Sequence, residues 1–180
     1  MAILQNVLLG FLAGHFALQA RVEHVWWSHF GADVSALKSK VPSSWRSSAE
    51  SFYRQLLEAP PKFDYILAVV ASVVLISLIG GIVRRPEKRL LSILSLLTYL
   101  GAAVVEIVFA RPILLSFVPK TYMKPEVQTF NLYQIALYHA VVLVLLAGTI
   151  LIQVSMVEEE EDAEDKARAA AAAAKKQKKE

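Results

Sequence analysis

The strongest constraint on this chain is an apolar run over residues 63–83 that carries one charge, Asp64, at its first turn. About 20 mostly apolar residues are enough for a helix to cross the hydrocarbon core of a bilayer. Two further runs have this length: 90–110, charged only at Glu106, and 132–154, uncharged, with Gln134 and His139 near its start. A fourth stretch, 2–20, is more polar, because it holds Gln5, Asn6, His15 and Gln19. It lacks the basic n-region and small-residue cut site of a cleaved signal peptide, so an uncleaved first span is the favoured reading. The expected fold class is therefore all-α, a polytopic membrane protein. Four spans at about 2–20, 63–83, 90–110 and 132–154 form a transmembrane domain over 1–155, followed by a tail over 156–180.

Composition enters as a check on that reading. Apolar residues are 56% of the chain and charged residues 19%, against about 45–50% and about 25% in soluble domains. Fourteen of the charged side chains lie after Met156, so too few remain to solvate the first 156 residues as a globule. A soluble enzyme is disfavoured on that ground. The net charge of +3 would hint at nucleic acid in a soluble chain, but here the bases flank apolar runs, which is the membrane pattern. The partner implied is the lipid bilayer, with no nucleic acid. The absence of cysteine excludes a disulfide scaffold, a thiolate zinc site and a cysteine nucleophile.

Orientation follows from bases in short loops. Residues 84–89 hold four bases and one acid, which places this loop in the cytosol. Alternation then puts 111–131 and 21–62 outside the cytosol, and both termini inside it. Within 21–62, Trp45, Ala49, Phe52, Tyr53, Leu56 and Leu57 recur at helical spacing between prolines, predicting a helix over about 43–58. Two placements stay open for it: along the outer interface, with Trp26, Trp27 and Phe30 as further headgroup anchors, or packed as an ordinary surface helix.

The tail changes character. Residues 158–165 contain seven acids, an alanine-rich stretch follows, and the end is basic. Alanine favours helix, and acids before bases complement the helix dipole, so the last span can run on as a cytosolic helix. Disorder at its end is equally acceptable. Lys176 and Lys178, fifth and third from the end, match the dilysine pattern that a vesicle coat reads for retrieval to the endoplasmic reticulum. A solvated basic tail is the bland alternative.

No catalytic or metal motif emerges. His24 and His29 are five apart rather than four, no HExxH, Walker loop or GxSxG occurs, and no cofactor is implied. One constellation stands out. His15, Asp64, Glu106, Arg111 and His139 all fall near the outer ends of their spans. Ionisable groups within a membrane face protein or water. They form either a polar patch that touches a partner's membrane segments, or intramolecular pairs that staple the helices; their shallow depth favours the second. In the first span, Gly10 and Gly14 have the spacing that lets helices approach closely.

Several short motifs carry a family resemblance: Leu56-Leu57-Glu58-Ala59-Pro60-Pro61, Arg84-Arg85-Pro86-Glu87, Leu96-Leu97-Thr98-Tyr99-Leu100 and Thr149-Ile150-Leu151-Ile152-Gln153. With the four-span layout they resemble the fungal SH3-type endoplasmic-reticulum membrane protein family. The resemblance implies a non-enzymatic, membrane-localised packaging chaperone. Its clients would be polytopic transporters such as amino-acid permeases, assisted in folding and vesicle export, with coat components engaged through the tail. A structural accessory subunit of a membrane complex is the alternative. A third reading is a lipid enzyme using Glu106 and His139 as acid and base.

Overall fold

The computed structural model describes residues 2–31, 37, 39–117 and 124–177, and every regular element among them is helical. In chain order these are α1 (Ala2–Trp27), α2 (Ser43–Leu57), α3 (Pro61–Arg84), α4 (Arg89–Val104), α5 (Arg111–Leu115) and α6 (Pro125–Gln177). A 3₁₀ turn at Pro86–Lys88 precedes α4, and a π-helical segment at Val105–Ala110 joins α4 to α5.

Three stretches of the described residues are long and apolar enough to cross a membrane: Lys62–Arg84, Pro86–Leu115 and Pro125–Glu158. They answer the runs at 63–83, 90–110 and 132–154. The fourth span expected at 2–20 is not among them. That stretch is helical, and 26 residues give α1 a length of about 39 Å. On it, Gln5 and Gln19 lie on the buried face.

Local chemistry sets the boundaries. Pro61 opens α3, where its missing N–H costs nothing, and Asp64 lies in the positive first turn. Arg85 leaves the helical region (φ −125°, ψ 70°), as a residue before proline tends to do. Further along, Pro112 lacks an N–H and its ring crowds the carbonyl four residues back. The π-helical turns end just before it and supply the extra room.

α1 and α6 meet along a seam of unusual regularity. α1 buries Gln5, Leu9, Leu12, Phe16, Gln19, Glu23 and Trp26, in alternating steps of four and three. α6 buries Leu132, Ile135, His139, Val142, Leu146, Thr149, Gln153 and Met156 with the same alternation. This is the 3.5-residue period of interlocking helix pairs. α4 packs on another side of α6, while the α3 span is only 11% buried and therefore peripheral.

Two apolar clusters result. One gathers Trp26, Tyr53, Phe117, Leu132 and Ile135 beneath α2; the other gathers Leu9, Phe16, Leu78, Tyr99 and Leu146 among α1, α3, α4 and α6. The expected anchor Trp26 is thus a core residue, because α1 continues to Trp27 and carries it on the seam. Trp27 Nε1 donates to the Ala136 carbonyl at 3.0 Å, and Phe30 alone of the three is exposed. α2 is rotated relative to its expected stripe: Arg46, Ala49 and Tyr53 are buried and Trp45 is exposed. Arg46 reaches that position because its Nη1 donates to the Val41 carbonyl at 2.7 Å.

Candidate functional site

Where the two clusters meet, four elements converge on a buried polar network. His139, on α6, has no exposed surface. Its Nδ1 donates to Glu23 Oε1, on α1, at 2.5 Å. The Tyr53 hydroxyl, on α2, donates to the same oxygen. On the other side of the ring, His139 Nε2 lies 3.4 Å from Glu106 Oε2, in the π-helical segment. Burial first, and then the Glu23 carboxylate, hold the Tyr53 phenol well above its usual range, so it stays a donor. Phe16 and Tyr53 flank the imidazole with ring centroids 5.5 and 6.3 Å away.

Beside this network a cavity of about 530 Å³ opens between α1, α3 and the α4–α5 region. Four of the residues expected to form a polar patch line it: His15, Asp64, Glu106 and Arg111. The fifth, His139, lies behind Glu106 and does not reach the cavity wall. Arg111 Nη2 donates to Asp64 Oδ2 at 2.9 Å, closing an ion pair between α5 and α3. Gln19 Nε2 lies 3.2 Å from His15 Nε2 one turn away on α1. The amide nitrogen donates, so the ring nitrogen accepts. The rest of the wall is apolar, with Ala68, Ala71, Ala102 and Ala103 keeping it thin.

Glu23, Tyr53 and Gln19 are the members that sequence reasoning missed. Glu23 was counted with the loop after residue 20, and Tyr53 with an interfacial stripe. The signal was available in the spacing: Leu9, Leu12, Phe16, Gln19, Glu23 and Trp26 share one 3.5-residue seam.

The remaining expected residues sit elsewhere. Gly10 and Gly14 lie on the exposed face of α1, and a Cβ on either would meet nothing within 4 Å. Among the described residues they bring no helix close. Lys176 falls in α6, and Lys178 lies outside the described residues. Among the described residues no group of three or more His, Asp or Glu side chains is arranged to hold a metal ion. For acid–base chemistry the geometry is unfavourable, since a substrate in the cavity would meet Glu106 but not the enclosed His139.

No curated protein and no solved structure matches the chain. The model of the chaperone family described as ER membrane protein SH3 matches residues 22–180, from the end of α1 through the whole of α2 to α6. With nearly the full chain covered and three apolar helices of membrane-crossing length, this protein belongs to that family of endoplasmic-reticulum membrane chaperones.

Proposed function

We propose that the protein receives membrane segments of newly made polytopic transporters, such as amino-acid permeases, and keeps them from aggregating until they are packaged for export. The observation that carries this reading is the cavity of about 530 Å³ between membrane-crossing helices, apolar over most of its wall and polar at His15, Gln19 and Glu106. An incompletely assembled transporter exposes helix faces that are mostly apolar with isolated polar groups, and such a wall is their complement.

In this reading α1 is a fourth span, the basic loop and both termini are cytosolic, and α2 covers the bundle on the luminal side. The outward face of α1, with Gly10 and Gly14, offers a second close-packing surface for clients. Lys176 and Lys178 serve as the address read by the vesicle coat. Deleting the gene tests the main claim: permeases should accumulate in the endoplasmic reticulum and amino-acid uptake should fall. Normal permease exit would refute it. Changing Lys176 and Lys178 to serine should let the protein leak towards the Golgi without altering its unfolding temperature; full residence would reduce the tail to a solubilising extension.

A further inference from the structure

The polar groups around the cavity are unbalanced. Three hydrogen bonds of its wall close inside the chain: Arg111 Nη2 to Asp64, the Tyr99 hydroxyl to the Ala71 carbonyl, and Gln19 Nε2 to His15. Two acceptors stand apart from them. Gln19 is only 3% exposed, and its Oε1 has no donor among the described residues. Glu106 keeps 23% of its side chain exposed at the cavity, while its Oε2 is turned inward, 3.4 Å from His139 Nε2. Formal charge points the same way, because Glu23 and Glu106 share a single imidazole and the Asp64 carboxylate is already matched by Arg111. Around Glu106 the charge is negative in excess, and beside it Gln19 Oε1 lacks a donor. A buried acceptor without a donor costs free energy, so a donor entering the cavity is favoured.

We propose that the cavity is a recognition site for a hydrogen-bond-donating side chain, an amide or an amine, carried at membrane depth on a client's transmembrane helix, with Glu106 and Gln19 as its acceptors. This rests on the reading that clients bind at the cavity and specifies what it selects there. Two features favour a helix over a lipid. Ala68 and Ala71 on α3, with Ala102 and Ala103 on α4, let a helix backbone come close. Glu106 also lies five residues along the chain, more than one helical turn, from Arg111 of the Arg111–Asp64 pair. An ammonium headgroup held at that pair would stop short of it, whereas a helix side chain can sit at either depth.

The test uses the full chain in phosphatidylcholine vesicles, with a photoreactive residue in place of the cavity-lining Ile107. The probes are single-span leucine–alanine helices bearing one Asn, Lys or Leu guest at the level of Glu106. Adducts with the Asn and Lys probes should exceed those with Leu by about three- to tenfold, the range for one or two interhelical hydrogen bonds in a membrane. Glu106→Leu should abolish the preference. Gln19→Leu, similar in size and losing only its contact with His15, should reduce it several-fold even if the Glu106 variant fails to fold. Equal labelling of all three probes, or a preference that survives both substitutions, overturns the proposal. So does labelling that passes to phosphatidylethanolamine when that lipid is added, with the probes left equal. None of these outcomes touches permease retention in deletion cells, so failure of the selectivity is distinguishable from failure of the chaperone reading.

Discussion

At the end of the bundle nearest α2, helices meet on ionisable groups in the buried interior: Glu23, His139 and Tyr53, with Glu106 partly open to the cavity. At the opposite end, nearest the Pro86–Lys88 turn, the same helices are joined by neutral pairs. Ser77 Oγ donates to Gln5 Oε1 at 2.8 Å, Gln153 Nε2 donates to Ser95 Oγ at 2.8 Å, and the Thr98 and Thr149 hydroxyls lie 2.9 Å apart. Lys88 Nζ there also donates to the Met156 carbonyl, at 2.6 Å. The difference separates two tasks. Neutral pairs hold helices in register at small cost and with small gain, and losing one changes little. A buried charged network is demanding, because each member is tolerable only while its partners remain. Such a network is poorly suited to fastening and well suited to fixing one geometry, here that of the wall containing Glu106.

The comparison is broken most severely at His139. Replacing it with leucine leaves Glu23 and Glu106 facing an apolar side chain, and should lower stability by about 3–5 kcal/mol. Thermal unfolding in detergent micelles would read that loss. A change below about 1 kcal/mol would mean that the network is not a coupled unit. Tyr53→Phe keeps the ring and deletes one charge-assisted hydrogen bond to Glu23, so about 1–3 kcal/mol should be lost. Because α2 contributes Tyr53, proteolysis within α2 should accelerate in this variant. At the other end, Thr149→Val should cost only about 0.6 kcal/mol, the average for an interhelical hydrogen bond in a membrane. If Thr149→Val were as damaging as Tyr53→Phe, the two ends would not differ in kind.

The two ends also differed in how well the sequence announced them. Runs at 63–83, 90–110 and 132–154 were plain because hydropathy sums over many residues and tolerates one Glu106 or one His139. Those two residues were legible, as members of a patch of five, for the same reason: an ionisable group in an apolar run needs a partner. Glu23 was not legible in that way. It follows Arg21 in a polar stretch, and its burial depends on α1 running past residue 20 so that the seam of Leu9, Phe16 and Gln19 carries it to His139. The π-helical turns were invisible as well. They arise from a conflict between Pro112 and the preceding turn, and no apolar period encodes that. The rotation of α2 was hidden because helical spacing alone gives an arginine no place on a buried face, and only the Val41 carbonyl makes Arg46 tolerable there.

The most direct measurement places a photoreactive residue at Ile107, in the cavity, and in a second variant at Val144, on the exposed outer face of α6. Both variants are expressed in cells synthesising an amino-acid permease, and permease adducts are counted after a brief pulse of synthesis. If clients are received at the cavity, adducts from 107 should exceed those from 144 by at least about threefold, and Glu106→Leu should bring the two yields together. Equal yields in the unsubstituted background, or an excess at 144, would contradict reception at the cavity and place client contact on the outer surface of the bundle.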